Sequence, residues 1–125
     1  MAYLIFLNYL NDEFDLQKTR FENIYINRNG NLIYDKKTNK QIKILNTGRN
    51  NYKIIRLPSR FKYFETRKNY QVSYLVYETF TKEIIDTEKY QIHHINLDQT
   101  DNRLMNLIKL TKTQHREIHK LLKKI

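Results

Sequence analysis

The chain has 125 residues, 40% of them hydrophobic, with no cysteine and a formal net charge of +10. That length allows one domain with a small core. The lack of cysteine excludes a disulfide framework and a thiolate metal site, and fits a reducing cytoplasmic setting.

Met1–Leu7 is apolar but has no basic n-region or small-residue cleavage site, and it is too short to cross a bilayer. Neither a signal peptide nor a membrane partner is expected. Residues 3–22 are ambiguous and stay unassigned. From Asn23 the pattern changes to short β-prone runs. Asn23–Asn27 and Leu32–Asp35 flank Asn29-Gly30, a hairpin signal because both turn residues tolerate positive φ. A second pair, Gln41–Leu45 and Tyr52–Leu57, follows, with Lys43 alternating outward between Ile42 and Ile44. Pro58 then ends the strand pattern.

Charge is concentrated in this region. Residues 36–70 hold eleven basic side chains against one acidic, a surplus equal to that of the whole chain. They are Lys36, Lys37, Lys40, Lys43, Arg49, Lys53, Arg56, Arg60, Lys62, Arg67 and Lys68, interleaved with Tyr52, Phe61, Tyr63, Phe64 and Tyr70. Such a segment suits a polyanion, most commonly nucleic acid.

Val72–Phe80 reads as a helix whose apolar face is Val72, Leu75, Val76 and Phe80. Residues 81–89 form a charged connector. Tyr90–Ile95 and Leu104–Leu110 read as strands around a polar loop, Asn96–Arg103. Thr111 with Gln114 three residues on is a capping box that starts a last helix. Its apolar stripe is Ile118, Leu121, Leu122 and Ile125, with His115 and His119 beside it, one above the other.

All four histidines lie near the end of the chain. His93-His94 is followed twelve residues on by Asn106, then nine later by His115 and one helical turn later by His119. Imidazole both ligates metals and titrates near neutrality. Neighbours on a strand face opposite ways, so His93 and His94 suit one ligand and one base better than two ligands. Histidines four apart on a helix can share one ion. Asp98 and Asp101, in a turn-rich loop, suit backbone capping better than metal binding.

The run Ile92-His-His-Ile-Asn-Leu-Asp-Gln-Thr-Asp-Asn-Arg-Leu-Met-Asn-Leu107, followed by His115, resembles the HNH, or ββα-metal, endonuclease motif. Tyr74-Leu-Val-Tyr-Glu-Thr-Phe80 resembles the helix preceding that motif in phage and intron-encoded homing endonucleases. The strands around Asn29-Gly30 resemble the segment those enzymes often carry ahead of it. The resemblance implies an α+β fold: N-terminal β-hairpins and a connecting helix, then a C-terminal ββα-metal motif. Residues 1–70 would be the β-rich basic DNA-binding segment, and residues 71–125 the nuclease region with its preceding helix, 72–80.

The resemblance also implies roles. His94 would be the general base, His93 and His115 would hold one divalent cation, and Asn106 would pin the loop that orients His94. His119 matches an additional metal-side histidine of the toxin branch. Many homing members carry Asp at the position of His93 and Asn at that of His115. The implied function is metal-dependent hydrolysis of double-stranded DNA, by a monomer or homodimer, in a homing or phage mobile element acting in the cytoplasm of a bacterial host. Imidazole ligands favour Zn²⁺ or Ni²⁺ as the bound ion, and availability favours Mg²⁺ or Mn²⁺ for turnover. Two other readings fit the same residues. One is a non-catalytic DNA-binding module in which four histidines close a structural zinc site, and the other is a toxin-type nuclease without sequence preference.

Overall fold

A computed structural model describes residues 15–47, 51–58, 60–61 and 69–123. Arg49, Lys62, Arg67 and Lys68 of the expected DNA grip lie outside these residues, as do Tyr63, Phe64, residues 1–14 and Ile125.

Four short strands, β1 (Gln17–Lys18), β2 (Ile24–Ile26), β3 (Ile33–Asp35) and β4 (Lys40–Gln41), form an antiparallel sheet in chain order. A second antiparallel sheet joins β5 (Leu45–Asn46), β6 (Lys53–Arg56) and β7 (Asn69–Gln71). Helix α1 (Val72–Thr81) follows β7 directly. Strands β8 (Tyr90–His94) and β9 (Leu107–Thr111) pair antiparallel, with a 3₁₀ turn (Leu104–Asn106) before β9 and helix α2 (Lys112–Lys123) after it. The order is the expected α+β arrangement.

Alternation makes the first hairpin. Ile24 and Ile26 are buried on either side of a half-buried Tyr25, and Ile26 faces buried Ile33 across the ladder. The turn spans residues 28–31 between the expected strands, with the Asn27 N–H donating to the Leu32 carbonyl. Among its residues only Gly30 has positive φ, +69°. The Asn27 carbonyl accepts from Gly30 N, and the Asn27 side-chain oxygen accepts from the backbone N–H groups of Asn31 and Leu32. A buried amide thus closes the loop around Asn29-Gly30.

The expected strand Gln41–Leu45 is divided between the two sheets. Lys40-Gln41 pairs with β3 and Leu45-Asn46 with β6, so Ile42–Ile44 bridges the gap. Ile42 and Ile44 still pack on the core, and Lys43 still points outward. The alternation was legible, but period two does not specify which sheet edge a strand joins.

Val72, Leu75 and Val76 of α1 are fully buried, each worth roughly 1.5–3 kcal/mol of transfer free energy. They join Phe21, Ile24, Ile26, Ile33, Ile55 and Leu57 from the sheets and the segments beside them, and Ile92 and Leu107 from the β8–β9 hairpin, in one core. The helix stops where Lys82 turns left-handed, at φ 61°. Glu78 is buried on the same helix. Its carboxylate accepts from the Tyr70 hydroxyl at 2.7 and 2.9 Å and lies 3.6 Å from Arg20 Nε, which offsets its desolvation. Burial and that neighbouring carboxylate push the Tyr70 phenol well above its ordinary value.

At the C-terminal end the capping box forms completely. Thr111 N donates to Gln114 Oε1 at 2.9 Å, and Gln114 N donates to Thr111 Oγ1 at 3.1 Å. Two expectations are corrected here. Leu104–Asn106 is a 3₁₀ turn rather than strand, closed by Asn106 N donating to the Arg103 carbonyl. The apolar stripe of α2 is not buried, and Leu121 remains 62% exposed. The helix turns His115, His119 and Leu122 into the cleft that β8 lines, and its Ile118 is half-buried. No helix among the described residues is long and apolar enough to cross a membrane.

Candidate active site

β8 carries His93 and His94, and α2 returns against it with His115 and His119. All four imidazoles line one cleft of about 510 Å³, together with Tyr52, Ile92, Leu97, Gln99, Leu122 and Lys123. Within it they divide into two sets.

His93, His115 and His119 each offer a ring nitrogen, and these atoms lie within 4.8 Å of one another. The His115 and His119 Nε2 atoms are 3.1 Å apart, a separation suited to two nitrogens sharing one ion at about 2.0–2.1 Å. Burial holds the His93 imidazole below its ordinary pKa, aided by the charges of His115, His119 and His94. Burial and His119 lower His115 as well. Both shifts favour the neutral form that ligates metal. The three imidazoles are thus a fitting donor set for one divalent ion.

His94 is outside that set. It is 5% exposed, and its Nε2 lies 2.8 Å from the side-chain oxygen of Asn102, itself 4% exposed. Three histidines converge rather than four, so a tetrahedral ion held by them would keep one open position. The ring of Tyr52, from the basic segment, lies 6.5 Å from that of His94, and the Tyr52 hydroxyl accepts from Gln99 Nε2 at 3.4 Å.

Asn106 ties the intervening loop across its base. Its Nδ2 donates to Asn96 Oδ1 at 3.0 Å and to the Asp101 carbonyl at 2.8 Å, while its Oδ1 accepts from Asn96 N at 3.0 Å. Leu97 sits at φ +65°, an unfavourable conformation for a branched side chain, with its N–H held by the His94 carbonyl. Asp98 accepts from the backbone and hydroxyl of Thr100, which hold its carboxyl below the usual range. Asp101 is bridged by Arg103, which lowers its pKa to about 2. Both aspartates brace the loop, and neither joins the histidine cluster.

The basic residues have diverse settings. Lys36, Lys37, Lys40, Lys43 and Arg56 are exposed, Lys53 is half-buried and donates to Asn46 Oδ1, and Arg60 is paired with buried Asp35. Asn102 was not among the residues singled out from sequence, and Tyr52 figured there as a strand residue and one aromatic of the basic segment. An amide in a polar loop and a tyrosine before a strand carry no spacing signal. Asn102 lies eight residues after His94, and Tyr52 is forty-two before it.

Residues 70–117 match the HNH endonuclease family model. No curated protein matches the chain. Among solved structures, one described as "DNA binding and cleavage by the HNH homing endonuclease I-HmuI" is similar, with a TM-score of 0.64 and 18% identity. The similarity covers 83% of this chain and 55% of that one, so the chain spans little more than half the length of that structure. The segment 70–117 therefore carries the HNH endonuclease motif, on the fold of an HNH homing endonuclease.

Proposed function

We propose that the chain is a metal-dependent HNH DNA endonuclease of the homing or phage mobile-element kind. The observation that carries this reading is one cleft holding three convergent imidazoles and a fourth that is held apart from them. In this reading His94 accepts a proton from water as its oxygen attacks phosphorus. The bond from phosphorus to the 3′ oxygen breaks, leaving a 5′-phosphate and, after the 3′ oxygen takes up a proton, a 3′-hydroxyl. Such a base typically contributes 10²–10⁴-fold. When bound at His93, His115 and His119, a divalent ion supplies stabilisation of charge on the phosphate and the departing oxygen. Asn106 keeps the loop closed and so keeps His94 in register.

Residues 1–70 serve as the DNA-binding segment and 71–125 as the nuclease region. Exposed Lys36, Lys37, Lys40, Lys43 and Arg56 supply the phosphate contacts, with Arg49, Lys62, Arg67 and Lys68 as further candidates. Arg60 contributes to the fold instead, because Asp35 already neutralises it. A monomer has one such site and nicks one strand of double-stranded DNA, and a dimer cuts both. The working ion is Mg²⁺ or Mn²⁺, with Zn²⁺ or Ni²⁺ bound more tightly. The reading puts the enzyme in the cytoplasm, with the DNA it cuts.

The test is supercoiled plasmid incubated with wild type and His94→Ala, with Mg²⁺, Mn²⁺, Zn²⁺ and Ni²⁺ in parallel. Wild type should convert plasmid to the nicked form with at least one ion, and the variant should be slower by about 10²-fold or more. Equal nicking by the two proteins overturns the role of His94. No cleavage by wild type with any ion overturns the nuclease reading.

A further inference from the structure

The amide oxygen of Asn102 has lone pairs only, so the His94 nitrogen 2.8 Å from it must carry the hydrogen. A neutral imidazole has one N–H. With Nε2 as donor, Nδ1 is left as the acceptor, and the ring is held by a bond between two buried groups. Asn102 is in turn backed by the β2–β3 hairpin. A methyl group added at Gly30 would lie 2.9 Å from the Asn102 carbonyl oxygen, 3.0 Å from its Cβ and 2.9 Å from Val76 Cγ2. Two residues further on, Leu104 N donates to the Arg28 carbonyl at 3.0 Å, so the loop is tied to the hairpin tip.

We infer that Asn102 is a positioning residue that fixes the tautomer and orientation of His94, and that the tip of the β2–β3 hairpin holds Asn102 in place. The inference rests on the nuclease reading of His94 for its catalytic consequence, but not for its geometry. It makes the N-terminal sheet part of the machinery behind the base as well as a DNA grip. Glycine suits this buttress because its φ is positive and no side chain separates the two backbones.

The test combines ring-selective ¹H–¹⁵N NMR of the imidazoles with single-turnover nicking, on wild type, Asn102→Leu, Asn102→Asp and Gly30→Ala. Wild-type His94 should show a slowly exchanging Nε2–H signal. Asn102→Leu should lose that signal and nick about 10–100-fold more slowly, the range for groups that orient a functional imidazole, with DNA affinity unchanged. Asn102→Asp retains an acceptor and should restore the signal and most of the rate. Gly30→Ala should shift the signal and slow nicking.

A wild-type proton on Nδ1 overturns the inference whether or not any variant folds. So does an Nε2–H signal or a wild-type rate that survives in Asn102→Leu. An unchanged Gly30→Ala overturns the part assigned to the hairpin. If wild type does not nick at all, the nuclease reading fails, while the NMR signal still decides what Asn102 does.

Discussion

Arg60 reaches back to the end of β3 and grips Asp35 with two guanidinium nitrogens, Nη1 at 2.8 Å from Oδ2 and Nη2 at 2.6 Å from Oδ1. The carboxylate is only 2% exposed, and the Lys37 N–H adds a bond at 3.0 Å. The guanidinium holds the Asp35 carboxyl below its ordinary pKa, against the opposing effect of burial.

A depressed carboxylate stabilises the fold above its unfolded pKa, near 3.9, and loses that contribution as pH falls through its lower folded value. Chemical denaturation between about pH 7 and pH 3 should show this acid limb. Arg60→Ala should flatten it and cost about 2 kcal/mol at neutral pH, less than for a fully buried pair because Arg60 is partly exposed. DNA affinity should change little. A large loss of affinity with unchanged stability would return Arg60 to the DNA grip.

The histidine triad should bind metal independently of any cleavage. Calorimetry with Zn²⁺ should give about one ion per chain. His93→Ala, His115→Ala and His119→Ala should each weaken binding, whereas His94→Ala should leave the stoichiometry intact. Because the site belongs to the folded chain, ion at about 100 times its Kd should raise stability by about 2.7 kcal/mol. Equal loss of binding on removing His94 would mean a four-histidine site and favour the structural-zinc reading.

The basic segment should make affinity steeply dependent on salt. With about six phosphates neutralised, log affinity should fall against log salt with a slope near −5. Lys43→Ala and Arg56→Ala should each reduce the slope by about 1 and weaken all duplex sequences alike. Two exposed substitutions that leave the slope unchanged would move the DNA path away from these strands. Degradation of random DNA without preferred sites would favour the toxin-type alternative.

Local patterns in the sequence carried much of this arrangement. Thr111 and Gln114 are three apart and form both bonds of their capping box, and Val72, Leu75 and Val76 are buried at the spacing that marked them. The intervals among His93, His115 and His119 likewise correspond to neighbours in space, whereas Asn106 ties the base of the loop between β8 and β9. Contacts set by tertiary packing were less legible. Arg60 and Asp35 are 25 residues apart, and nothing local in either marks the other. The rotation of α2 depends on which side packs on β8, and there the histidine side prevails over Leu121. Asn102 was hidden for a related reason. Its distinction lies in the imidazole and the glycine it touches, and a loop already rich in Asn and Asp does not mark it out.

The core that runs from Phe21 and Ile24 through Val72 and Val76 to Leu107 bears on how such a chain can be recombined. A cut between residues 70 and 71, though natural on grounds of charge, passes through β7 and parts α1 from the sheets that cover it. The two halves therefore share one core and are poor units of exchange. A graft that alters DNA preference has better prospects in the exposed side chains of β4 and β6, leaving the isoleucines beneath them and the glycine at the hairpin tip untouched.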